Sequence, residues 1–156
     1  MVVIEMGSDA IQRSSFKAAN TCNLCLENPA NASGIIDTVE IYAHSNMSSI
    51  KVGTFYGSGT RWTCRSATSL GPAPSGQKTT YTNLNIQVEE GDLIGIYFHY
   101  GLLYSDDTGG QGVLKKTDTF YVGQTYTFSL LEGDSISLHA TGATIPPAFM
   151  KPIKIW

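Results

Sequence analysis

The chain has 156 residues, 42% of them hydrophobic, which is enough for one domain with a substantial core. Charged residues make up only 15%, against about 25% in ordinary soluble domains, and the formal net charge of −3 argues against a general binder of nucleic acid or anionic membrane. No apolar run approaches the about 18 residues of a membrane span, and the opening M-V-V-I-E-M is too short and too acidic for a secretory signal.

Taken in order, residues 2–6 are a short β-prone run, with Val2, Ile4 and Met6 alternating. Residues 10–17 are ambiguous, because Ile11 and Phe16 do not share a strand face. Residues 21–26 read as a strand, and N-P-A-N-A-S-G over 28–34 as a loop of turn formers. Residues 35–44 are a long strand, with Val39, Ile41 and Ala43 inward and Glu40, Tyr42 and His44 outward. Residues 50–56 and 61–65 form a hairpin across Gly57-Ser58-Gly59. A loop over 72–76 follows.

Residues 84–100 carry the clearest pattern. Leu84, Ile86 and Val88 alternate with polar residues, Glu90-Gly91-Asp92 turns, and Ile94, Ile96, Phe98 and Tyr100 alternate again, which predicts a β-hairpin. The pattern recurs in register: Tyr126, Phe128 and Leu130, then Glu132-Gly133-Asp134, then Ile136 and Leu138. Ile86, Val88, Ile94, Ile96, Phe98, Phe128, Leu130, Ile136 and Leu138 are therefore expected to be buried together. No long segment has a helical period, and turns recur every eight to twelve residues or so. The expected fold is all-β, an antiparallel β-sandwich, in particular a jelly roll, of about eight to ten strands over residues 1–142.

The stretches N-P-A-N-A-S-G-I-I-D-T-V-E-I-Y-A, K-V-G-T-F-Y and G-D-L-I-G-I-Y-F resemble an uncharacterised jelly-roll or β-sandwich family of environmental microbial and viral sequences. The resemblance covers roughly residues 7–142. It implies the fold and brings no activity with it. The cysteine-rich strand and the tail depart from its pattern.

Candidate chemistry is sparse. Cys22 and Cys25 form C-x-x-C with no second pair, so zinc would need Cys64 or distant histidines. Strand phase predicts Cys22 and Cys64 as core thiols, with a Cys22–Cys64 disulfide as the alternative, and Cys25 as the exposed thiol. His44, His99 and His139 fall on outward faces without a ligand spacing. Asp106 and Asp107 lie in a glycine loop and are weak calcium candidates, though the spacing of an EF-hand is missing. Tyr42, Phe55, Tyr97 and Tyr121 are candidates for exposed aromatics that stack on sugar rings. Asn31 and Asn46 fit the N-glycosylation pattern. No nucleophile elbow or phosphate loop is present in the sequence, so no enzyme activity and no cofactor is expected.

Residues 143–156, A-T-I-P-P-A-F-M-K-P-I-K-I-W, differ in kind. Prolines exclude them from a central strand, yet they are too apolar to hang in water. These features predict a structural subunit of an extracellular filament, pilus-like fibre or virion, whose partners are copies of itself. The linking residues would be Ile145, Phe149, Ile153, Ile155 and Trp156, or Val2 and Ile4 if an N-terminal strand over 1–6 is exchanged. A carbohydrate-binding module is the alternative.

Overall fold

The computed structural model describes residues 2–145, which form thirteen β-strands and no helix. In chain order these are β1 (Val3–Gly7), β2 (Ser15–Ala18), β3 (Thr21–Cys25), β4 (Gly34–Ser58), β5 (Arg61–Leu70), β6 (Lys78–Tyr81) and β7 (Ile86–Val88). They are followed by β8 (Leu93–Asp106), β9 (Val113–Thr117), β10 (Thr125–Thr127), β11 (Ser129–Leu131), β12 (Ser135–Ile136) and β13 (Leu138–Ala143). Every pairing between these strands is antiparallel. The strands outnumber the eight to ten or so expected because several edge strands are only two to four residues long.

Strand β4 organises the sandwich. Its 25 residues belong to two sheets in succession. Gly34–Tyr42 pairs with β13, β7 and β6, and β1 adds to β13 to complete the first sheet. From Ala43 onward β4 pairs with β8 and then β5, in the second sheet. The change of sheet occurs where register shifts fall between Ala43 and Ser48, and Ser49 there has a φ of +53°. Irregularities of this kind let one strand bend from one sheet into the other. The two inner faces enclose the first core: Ile4 and Met6 of β1, Ile36, Val39 and Ile41 of β4, Ile86 and Val88 of β7, Ile94, Ile96 and Phe98 of β8, and Ile136 and Leu138.

The second sheet has another core on its far side. Across β10, β5, β4, β8, β3, β9 and β11, the segment 125–131 pairs with β5 at one edge through Thr125–Thr127 and with β9 at the other through Ser129–Leu131. The sheet therefore curls back on itself. Cys22, Leu24, Phe55, Trp62, Cys64, Leu93, Leu114, Phe120 and Phe128 fill the curl. Gly53 and Gly95, directly opposite each other, make the room. A Cβ on Gly95 would lie 2.8 Å from Phe55 Cε1, and one on Gly53 would lie 2.9 Å from Phe120 Cε2.

This second core corrects several expectations. Neither Glu-Gly-Asp turn closes a hairpin. Strand β7 pairs with β4 in the first sheet while β8 pairs in the second, and β11 pairs with β9 while β12 pairs with β8. Alternation identifies a strand but not its partner. Of the nine residues expected to pack together, seven lie in the first core. Phe128 fills the second instead, and Leu130 sits at its open rim beside Leu26 and Gly112, 48% exposed. Tyr100 is exposed as well, because the chain turns at Gly101, whose φ is +104°. Phe55, a candidate surface aromatic, is buried in the second core.

Ile96→Ala should destabilise the fold by about 2–5 kcal/mol, the range for a large-to-small change in a packed core. Leu130→Ala, at the rim, should cost about 1 kcal/mol or less. Urea denaturation of both variants measures the difference; equal losses would contradict this placement of Leu130.

Candidate functional site

The polar framework begins with the aspartates of the two Glu-Gly-Asp turns. Gly91 and Gly133 take φ values of +92° and +78°, which glycine adopts without a Cβ penalty. Each turn places its aspartate inward against a cation. Asp92 accepts a forked pair from Arg65, Nε at 2.6 Å and Nη2 at 3.0 Å, and also caps the Glu89 N–H at 3.0 Å. Arg65 reaches Glu89 through Nη1 at 2.8 Å and lies 4.3 Å from the Tyr56 ring centroid. The hydrogen bond to Asp92 raises the Arg65 pKa still further. Asp134 is held by a single contact from the Lys17 ammonium to Oδ2.

Arg13 and Lys17 lie beside the weak calcium candidates Asp106 and Asp107. Asp106 accepts from Arg13 Nη1 at 3.0 Å, from the Ser14 N–H at 3.0 Å and from Ser14 Oγ at 2.9 Å. The Ser14 N–H, with the Ser14 hydroxyl and Arg13 beside it, holds the Asp106 carboxyl below its ordinary value. Asp107 lies 4.0 Å from Lys17 Nζ. Each of the two carboxylates thus has a cationic side chain of the protein within 4.0 Å. Among the described residues no group of three or more His, Cys, Asp or Glu side chains is arranged to hold a metal.

The most distinctive surface feature is a row of aromatic rings crossing β2, β8 and β4. Phe16 stands opposite Tyr104 across β2 and β8, so both side chains share the outer face. Phe16 and His44 have ring centroids 4.9 Å apart with a tilt of 32°. His44 and Tyr104 meet edge to face at 4.9 Å, and Tyr104 and Tyr42 at 5.5 Å. Phe16 is 48% exposed and His44 is exposed too. The sequence yielded Tyr42 and His44 as outward residues. Phe16 was hidden in an ambiguous segment, and Tyr104 lies beyond the Gly101 bend, where strand phase changes.

The other candidates do not converge on this row. His99 Nδ1 lies 2.5 Å from Asn20 Oδ1, and His139 sits between Glu5 and Glu40 at 3.7 and 3.6 Å. Tyr97 packs against the second core, and Tyr121 is exposed beside Lys51, whose Nζ lies 4.4 Å from its ring centroid. Lys51 also donates to the Phe120 carbonyl. Lys116 donates to the carbonyls of Thr117, Asp118 and Thr119 at 2.8, 3.0 and 2.6 Å. These two lysines latch the loop that carries Phe120 into the curl. Asn31 and Asn46 are exposed, but their amides have structural partners. Asn46 Oδ1 accepts from the Ser75 N–H at 2.9 Å. Asn31 accepts from the Glu5 N–H at 2.8 Å and donates to the Val3 carbonyl at 3.0 Å, on the outer edge of β1.

At the termini, Ile4 is fully buried in the first core of its own chain. Val2 remains 52% exposed. Thr144 donates its N–H to the Val2 carbonyl at 3.0 Å and accepts from the Val2 N–H through Oγ1 at 2.9 Å. Ile145 then lines a groove of about 400 Å³ with Ile35, Val88, Gln87 and Arg65. Phe149, Ile153, Ile155 and Trp156 lie outside the described residues.

All three cysteines are buried free thiols, which corrects the expected exposure of Cys25. Cys25 and Asn23 do share one face of β3, as alternation requires, but that face is the first core. Cys22 and Cys64 lie in the second. Burial raises the pKa of all three, Cys64 to about 11.

No protein-family model matches the chain, and no curated protein matches it. Geometry alone therefore identifies the candidate surfaces: the aromatic row and the groove at Ile145.

Two outcomes follow from the polar framework. Arg65→Ala leaves Asp92 buried without its cation and should cost about 3 kcal/mol in chemical denaturation, the low end for breaking a buried pair because the guanidinium keeps some solvent. Arg65→Lys should recover only part of this, since an ammonium cannot make the fork. The thiols make stability pH-dependent. Their folded pKa values lie above the about 8.5 of an unfolded cysteine, so their contribution is complete below that pH and is lost as pH rises through the folded values. The urea midpoint should fall between pH 7.5 and 9.5 or so, and fall less in a Cys22→Ala/Cys64→Ala variant. An equal decline in both proteins would refute the role of the thiols.

Proposed function

We propose that this chain is a structural subunit that self-assembles into an extracellular filament, pilus-like fibre or virion component, linked through the segment after Ile145. The observation that carries the proposal is the exit of the chain. The paired hydrogen bonds between Val2 and Thr144 fix where it leaves the first sheet, and Ile145 lines a groove in which Ile35 and Val88 lie beside Gln87, Glu89 and Arg65. The following sequence, 146–156, is apolar and rich in proline. An extended chain gains about 3.3–3.6 Å per residue, so eleven residues reach about 35–40 Å, far enough to meet a neighbouring copy. Docking of such a segment into the same groove on the next copy is head-to-tail, and a contact of that type grows open chains when its rotation does not close. Prolines reduce the conformational entropy lost on docking.

The N-terminal strand is the weaker donor. Exchange of β1 would require withdrawing Ile4 and Met6 from the first core. A carbohydrate-binding role draws on a different surface, the aromatic row.

Truncation after Ile145 tests the connector. The full chain should assemble in light scattering and show regular fibres or shells by negative stain, while the truncated chain should be a folded monomer. Assembly that survives truncation eliminates the segment as the link, and a full chain that stays monomeric at high concentration overturns the proposal.

A further inference from the structure

We propose that the row Phe16–His44–Tyr104–Tyr42 is a binding platform for the pyranose rings of a neutral glycan. A sugar ring offers an apolar C–H face edged with hydroxyls. It stacks on an aromatic ring because the ring's face is electron-rich. Phe16 and His44 are the exposed members; at 4.9 Å between centroids and 32° between planes they lie partly stacked on each other, so a sugar ring would meet the exposed outer face of the pair. Tyr104 and Tyr42 continue the row, and its length across three strands suits an extended ligand rather than one small ring.

Charge selects among partners. At the Tyr42 side, Glu40 is paired with Lys78 at 3.3 Å. At the β2 side, Asp106 is paired with Arg13 at 3.0 Å. The charges flanking the row are thus neutralised within the protein, and a charged ligand gains little from them. The surroundings also carry hydrogen-bonding groups, with Thr80 beside Glu40 and Ser14 beside Asp106. A protein partner would instead favour anchors set in desolvated apolar pockets. Cross-strand aromatic contacts also stabilise a sheet in their own right, and that role would leave the row without a ligand.

Affinity electrophoresis of the full-length chain through gels containing a neutral β-glucan, xylan or mannan, and through a parallel alginate gel, tests this. Retardation is expected in at least one neutral gel. Phe16→Ala and His44→Ala should each weaken it, by about tenfold for the loss of a stacking ring, while Phe16→Tyr should retain it. Tyr121→Ala removes an exposed aromatic outside the row and should leave binding unchanged. Thermal melts establish that each variant is folded; Phe16→Tyr keeps the ring and serves as the second readout if Phe16→Ala is not. Absence of retardation in all three neutral gels overturns the proposal. So does retardation in alginate alone, or binding that survives Phe16→Ala combined with His44→Ala. Self-association that is lost on Phe16→Ala, with no glycan bound, would assign the row to a second copy of the chain instead.

Discussion

A layer of three neighbouring strands, β3, β8 and the second half of β4, must be covered on both faces, and most of the structure follows from that requirement. Ile94, Ile96 and Phe98 face the first sheet, while Leu24, Phe55 and Leu93 face the curl. One cover is the first sheet, which β4 itself begins. The other is made by β5 and the 125–131 segment, which turn the same sheet over its own outer face. A sandwich of this length with a single core would leave a broad apolar face in water. Here the cost of covering it is met by glycine at Gly53 and Gly95 and by two lysines that hold the loop bearing Phe120.

The sequence revealed strands better than partners. A period of two correctly gave the inward phase of Val39, Ile41 and Ala43 and the existence of nearly every long strand. It could not show that β7 and β8 belong to different sheets, since a turn between two alternating runs serves a hairpin or an arch equally well. Alternation also assumes one wet face. Asn23 and Cys25 looked exposed because a polar residue marked their face, yet both are buried, and Asn23 Oδ1 has no partner among the described residues. Buried amides of this kind mislead any reading based on polarity. The aromatic row was invisible for another reason: Phe16, His44 and Tyr104 lie far apart in the chain and come together only through the β2–β8 and β4–β8 pairings.

The ionic contacts are fixed where short strands and turns need fastening. Arg65 ties β5 to the turn before β8, Lys17 ties β2 to the turn before β12, and Arg13 ties the segment before β2 to the end of β8. These carboxylates and cations satisfy one another. Asp106, a weak calcium candidate from the sequence, is one of the carboxylates that fasten the chain to itself. The aromatic row on β2, β8 and β4 lies apart from these ionic contacts, while the groove at Ile145 includes Arg65 in its lining.

The amide of Asn31 has a consequence for how copies of this chain can meet. A side-chain amide is chemically a short piece of backbone, with one acceptor and a donor in nearly the geometry of a peptide group. By accepting from Glu5 and donating to Val3, it plugs the outer edge of β1 as a fragment of strand would. An incoming strand would find no vacancy there and would have to evict its occupant bond for bond. Lateral fusion along that edge is then an exchange with little net gain in hydrogen bonding, and the edge is insulated without a longer strand or an added charge. An aspartate at the same position would keep the shape but lose the donor, and the plug would become half a plug.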